Sequence, residues 1–158
     1  MNRKTVILLA VAIFIGIFSW YSFDQITPEE IENEPDWVPL QMAQERAGED
    51  DRLIVVDIYE IGCKFCRAMH REIYPAPTIR TIIDRDFHPV QVDGNSDDPI
   101  VYNGEQITAK EFAQRMGVTA YPFTVILDSE GNILDRNRGY MDVVTFSRFL
   151  KESVEARS

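Results

Sequence analysis

The two cysteines of this 158-residue chain stand two residues apart in Gly62-Cys63-Lys64-Phe65-Cys66. Two thiols at that spacing suit thiol–disulfide exchange, in which one thiolate attacks a disulfide and the second resolves the mixed disulfide. They follow the apolar run Leu53 to Tyr59 directly. A strand that ends in a glycine turn and opens a helix at Cys63 places that sulfur at a helix N-terminus, where backbone N–H groups and the helix dipole favour thiolate. Cys63 is then the attacking thiol and Cys66 the resolving one. Lys64 between them favours thiolate further, although an exposed lysine is screened, and Phe65 supplies an apolar rim. Other readings stay open. Half of a zinc site needs further ligands, and only His70 and His88 are on offer. His70 lies four residues after Cys66, so Cys63, Cys66 and His70 form a partial copper or zinc set; a surface histidine on a helix charged by Arg67, Arg71 and Glu72 is the simpler account. A purely structural bridge is poorly motivated, because closing so short a loop removes little chain entropy. Haem attachment would need histidine where Arg67 stands.

Asp57 interrupts the apolar run six residues before Cys63. An ionised carboxylate is costly to bury in such a strand, so the position suits a group that takes up a proton. The alternative is a solvated acid at the strand's end. Glu60 is the competing carboxylate, or merely a loop charge. Pro122 precedes the apolar run Thr124 to Asp128, and an X-Pro bond is where a cis peptide costs little; a trans proline starting an edge strand is the statistical default.

These residues need elements to hold them. Val38 to Ala47, closed by Gly48, has helix-forming composition, and Leu53 to Tyr59 is β-branched and nearly continuous in its apolarity, as in a strand covered on both faces. Cys63 to Tyr74 reads as a helix stopped by Pro75 and Pro77, with a second helical piece over Thr78 to Arg85. Phe87 to Asp93 is a strand. Val101-Tyr102 and Gln106-Ile107 flank Asn103-Gly104, a favoured hairpin turn. Thr108 to Glu111 has a capping-box pattern opening a helix to Met116. Thr124 to Asp128 and Ile133 to Asn137 form an antiparallel hairpin, with Gly139 turning the chain toward a last helix from Asp142 to about Glu155. Tyr59, Phe123 and Phe146 are expected as walls of the core or cleft. Alternating β and α units imply an α/β domain with a parallel core and an antiparallel edge.

The chain has room for one such domain and a short appendage. Thr5 to Phe23 carries no charge; Arg3 and Lys4 precede it, and Asp24 and further acids follow. That polarity predicts a single-pass helix with the remainder exported. A cleaved signal peptide has the same polarity, but its apolar core is shorter and small residues precede the cleavage site; here Trp20, Tyr21 and Phe23 stand there. The expected organisation is a membrane anchor or signal segment over 1–23, an acidic exposed linker over 24–36 and the folded domain over 37–158. A net charge of −10 disfavours nucleic acid as a partner.

Over residues 37–156 the chain resembles the thioredoxin superfamily. The resemblance rests on the Cys63/Cys66 motif after a strand, Asp57 six residues earlier, the Tyr121-Pro122 step before a strand, and the closing hairpin and helix. Asp57-Ile58-Tyr59 and Gly139-Tyr140-Met141-Asp142 resemble exported reductase domains, namely the C-terminal periplasmic domain of DsbD and SoxW-type periplasmic thioredoxins. The resemblance implies a thioredoxin-like fold, with a central mixed sheet flanked by helices. It also implies a dithiol cycle on protein disulfides with no cofactor beyond the redox-active disulfide, and no metal. It assigns Asp57 the proton of Cys66, and makes Pro122 cis beside the dithiol, with the Tyr121 backbone pairing an extended substrate. Tyr121 is larger than the residue usual there, and Pro89 stands near the place of the family's lysine partner to the buried acid. An exported reductase further implies a membrane electron donor, in a periplasmic or exterior setting.

Overall fold

The computed structural model describes residues 2–24 and 31–157, which divide near residue 30 into two compact units. The first is α1, Arg3–Asp24. Its apolar side chains are exposed on every side, Leu8, Phe14 and Trp20 among them. A helix whose apolar side chains are exposed all round suits an apolar medium. The window Arg3–Trp20, with mean hydropathy 1.8, is long and apolar enough to cross a membrane.

The second unit runs α2 Leu40–Asp50, β1 Leu53–Tyr59, α3 Lys64–Ala68 continued by a π-helical turn Met69–Ile73, α4 Pro77–Asp86, β2 Phe87–Asp93, β3 Pro99–Tyr102, β4 Glu105–Thr108, α5 Ala109–Arg115, β5 Phe123–Leu127, β6 Ile133–Arg138 and α6 Val143–Arg157. The sheet order is β2-β1-β5-β6, and β3 and β4 form a separate hairpin. β1 pairs parallel with β2 and antiparallel with β5. This is the mixed thioredoxin-like sheet flanked by helices.

Alternation along β1 sorts its side chains into two cores. Ile54, Val56 and Ile58 pack with Leu40 and Ala43 of α2 and Phe112 of α5. Leu53 and Val55 pack on the other face with Met69, Ile79, Phe146 and Leu150. Asp57 belongs to this second face, and register sets it beside Gln91 of β2 and Thr124 of β5. β2 is an edge strand; on its open side Val38 donates its N–H to the Pro89 carbonyl at 3.0 Å.

Three elements depart from the sequence expectations. α2 starts at Leu40 rather than Val38, because a residue before proline is held extended and the Pro39 carbonyl accepts the first helical bond, from Ala43 N–H. It continues past Gly48 to Asp50 and closes on Asp51 at φ 59°. The expected helix Cys63–Tyr74 widens after Ala68 into the π turn, where Tyr74 N–H reaches back five residues to the Met69 carbonyl. Pro77, expected only as a stop, also opens α4 at its first position, where its missing N–H costs nothing.

Half of the expected linker, residues 25–30, lies outside the described residues. In the other half Glu32, Asn33 and Asp36 are exposed, as expected, yet the segment is also tied to the domain. Asn33 Nδ2 donates to the Pro75 carbonyl, Arg80 Nη1 donates to the Glu34 carbonyl, and Pro35 is buried. Trp37 explains this docking: its ring meets Tyr74 edge-on at 5.0 Å between centroids, while its Nε1–H is satisfied by Glu34.

Candidate redox site

β1 delivers the chain to the site and a tight turn releases it into α3. Gly62 adopts φ +90°, a conformation that costs a residue without Cβ little, and the Cys63 N–H closes the turn on the Glu60 carbonyl. Cys63 then caps α3, its Sγ accepting the Cys66 N–H at 3.1 Å. That contact favours negative charge on Cys63. The two cysteines are joined as a disulfide with Cα atoms 5.3 Å apart. Cys63 is half-buried and Cys66 only 2% exposed, so an incoming disulfide reaches Cys63 first. Lys64 is exposed, and the ring of Phe65, 59% exposed, lies 6.2 Å from that of Tyr140, forming an apolar rim.

The Tyr121–Pro122 peptide is cis. Pro122 is buried and its carbonyl accepts the Gly139 N–H. The Tyr121 ring is half-buried over Gly94, where an added Cβ would lie 2.6 Å from the phenol oxygen and 2.9 Å from Ile58 Cγ2. Its hydroxyl donates to Asn95 Oδ1, and Asn95 Nδ2 donates to Glu60 Oε2. Glu60 thus ties two loops together at the surface. Burial, with the charges of Glu60 and Asp93, holds the Tyr121 phenol above its usual range, so it remains a donor.

Asp57 is fully buried. Its Oδ2 is hydrogen-bonded to His70 Nε2, and its Oδ1 has no hydrogen-bond partner. His70 is not the exposed surface histidine that its charged neighbours suggest, for its side chain is half-buried. The π turn aims it inward, and among the described residues no group of three metal-ligating side chains is assembled. Its ring sits against Tyr59, Tyr74 and Trp37 at 5.4, 6.0 and 6.3 Å, and the Gln91 amide nitrogen is 3.3 Å from Nε2. Burial works against charge on this imidazole. The hydrogen bond and charge of Asp57, with Glu34 adding, nevertheless hold it above its usual range. The Tyr74 phenol, wholly buried beside Asp57, is pushed well above its usual range by burial first and by the carboxylate second.

Sequence reasoning selected the cysteines, Asp57, Lys64, Phe65, Tyr121 and Pro122. It missed the partners of Asp57, because their meeting depends on strand register and on the π turn. One signal was present: His70 lies between Met69, Ile73 and Tyr74, all of which face the core. Tyr59 is half-buried, while Phe123 and Phe146 are core residues. Gly139 turns the chain at φ +96°.

A thioredoxin-like domain family model matches residues 40–153. Among curated proteins none matches the chain. Solved structures share its fold at low identity. A DsbH oxidoreductase is 18% identical over 82% of this chain and 90% of its own, with TM-score 0.61. A thioredoxin from Thermus thermophilus is 19% identical over 77% and 88%, with TM-score 0.62. The C-terminal domain of DsbD from Neisseria meningitidis, in its oxidised form, is 17% identical over 71% and 90%, with TM-score 0.56.

Proposed function

This chain belongs to the thioredoxin-like domain family and is a thiol:disulfide oxidoreductase of it; we propose that it works as an exported, membrane-tethered reductase of protein disulfides. The observation that carries the reading is the unequal burial of the pair, with Cys63 reachable and capping a helix and Cys66 enclosed behind it. The Cys63 thiolate attacks one sulfur of a substrate disulfide, and the departing substrate thiolate takes a proton from water. Cys66 then gives its proton to Asp57 and attacks the Cys63 sulfur, expelling the second substrate thiolate, which takes its proton from water. The substrate gains two electrons and two protons, and the enzyme leaves as the disulfide.

An extended substrate segment would align along the Tyr121–Pro122 backbone, with Lys64 and the Phe65 rim beside it. No cofactor is required beyond the cysteine pair. Export is supported by Arg3 and Lys4 ahead of the apolar helix α1 and the acidic residues after it. An oxidising compartment does not regenerate a dithiol, so a membrane electron donor has to return two electrons per cycle, and tethering through α1 keeps the domain within its reach.

The test is the redox equilibrium of the full chain in graded thiol/disulfide buffers, following the Cys63/Cys66 state. A potential near or below about −220 mV supports the reductase; one near about −120 mV makes the protein an oxidant and reverses the cycle.

A further inference from the structure

We infer that His70 is the positioning residue and proton outlet of Asp57: it holds Oδ2 of a buried carboxylate, leaves Oδ1 free to accept the Cys66 proton, and connects the pair to solvent. This rests on the dithiol cycle proposed above and concerns the one proton that cycle deposits in the interior. Asp57 has no exposed surface, so a proton placed on it has no direct way out. His70 does reach solvent, with its side chain 18% exposed.

The geometry fits the task at each point. Cys66 and His70 are four residues apart on the helical run that α3 and the π turn make, so the thiol and the imidazole leave the same side of it. Of the two carboxylate oxygens, His70 occupies Oδ2, and Oδ1 is buried without a partner. A buried polar atom left unpaired costs free energy, and an acceptor kept open for a transferred proton accounts for it. The groups around the pair leave His70 as its ionic partner. Tyr74 and Thr124 sit beside Asp57 as neutral hydroxyls, with the Tyr74 phenol pushed to remain protonated. Tyr59 and Trp37 enclose the ring, the Gln91 amide approaches Nε2, and Glu34 adds negative charge from the segment before α2. The residue of β2 paired with Asp57 is Gln91, not Pro89, so β2 supplies no cation beside the carboxylate.

In the resolving step the sulfurs exchange as described above. The Cys66 proton goes to Oδ1 of Asp57, and a proton leaves the His70 ring to water, so the pair as a whole keeps its charge. On re-reduction the transfers run in reverse.

The test uses the reduced full chain and Ellman's reagent. Attack by Cys63 releases a first coloured thiolate, and resolution by Cys66 releases a second, so the second phase isolates the step at issue. His70→Gln is expected to leave the first phase unchanged and to slow the second about tenfold near neutrality, a fraction of what a general base contributes. Its pH profile should follow that of Asp57→Asn, and the double variant should be no slower than Asp57→Asn alone. A second phase in His70→Gln with the wild-type rate and pH profile, or a double variant slowed by the product of the single effects, overturns the inference while the dithiol cycle stands. Absence of a second phase in the wild-type chain overturns both. Wild-type protein gives a readout independent of any variant. The NMR titration midpoint of the His70 ring should differ between the disulfide and dithiol states, because coupled groups titrate together; identical midpoints overturn the inference.

Discussion

The two histidines of the chain each meet an aspartate, and the two pairs are inverted. At the redox site the carboxylate is wholly buried and the imidazole reaches solvent. At the foot of the sheet the imidazole of His88 is 3% exposed and the carboxylate of Asp50 38% exposed. The second pair is also the better satisfied. His88 Nε2 donates to Asp50 at 3.1 Å, and Arg52 adds Nε–H to Oδ2 and its backbone N–H to Oδ1. Each oxygen of Asp50 is used, and the end of α2 is held to β2. One oxygen of Asp57 is not used. The contrast teaches that a carboxylate–imidazole contact acquires chemical potential from what it leaves unsatisfied and from which partner is buried.

The largest expected effect separates the pairs by activity. Asp57→Asn should slow disulfide turnover by about a hundredfold, the lower range for loss of a general base, as measured by reduction of insulin disulfides. Its denaturant midpoint should stay near wild type only at alkaline pH, where the half-buried His70 left without its carboxylate sheds its proton rather than remaining an unpaired charge. Asp50→Ala should do the reverse. It leaves His88 buried without its partner, a loss of about 1–3 kcal/mol in chemical unfolding, with turnover unchanged. Equal effects on both readouts in both variants would erase the distinction.

A smaller effect is the pH dependence of stability, which should run in opposite directions. Asp50 is lowered to about 2, with burial opposing and the His88 and Arg52 bonds prevailing. Its contribution is therefore present above the unfolded value of about 4 and is lost as pH falls toward about 2. His70 is raised, so its contribution is present below the unfolded value of about 6.5 and is lost as pH rises through the folded one. Denaturation series across pH on His70→Gln and Asp50→Ala check both signs; a common direction breaks the comparison. Smallest is the salt effect. The exposed Asp50 and Arg52 should weaken between 0.1 and 1 M salt, as the screening length falls from about 10 to about 3 Å, whereas the Asp57–His70 pair should hardly respond.

Neither pair was legible in the sequence, and the reason is the same in both. Asp50 and His88 are 38 residues apart and Asp57 and His70 are 13 apart, so each contact exists only once a strand register and a helix approach are set. What local chemistry decides was legible: β1 from its β-branched run, α5 from Thr108, whose Oγ1 accepts the Glu111 N–H, and the terminal hairpin from its polar turn. The dithiol belongs to this class, because its spacing along the chain marks it, whereas the roles of Asp57 and Pro122 rest on the resemblance to the thioredoxin superfamily. The π turn lies outside this class. One residue more in a single turn barely disturbs an apolar stripe, yet it sets where His70 points. The docked segment Asn33 to Asp36 reads as linker because acids and a proline dominate it, and the ring of Trp37, the first residue of the expected domain, holds it in place.

The hydrogen bond from Val38 to the Pro89 carbonyl bears on how copies of this domain coexist. Alternate residues of β2 turn their polar groups to the open edge, and Pro89 is among them. A foreign strand seeking to extend the sheet there meets, at the middle of the edge, a donor that proline lacks and an acceptor already engaged. Pro89 thereby makes this border a poor template for self-association. That matters most for domains crowded together on one surface.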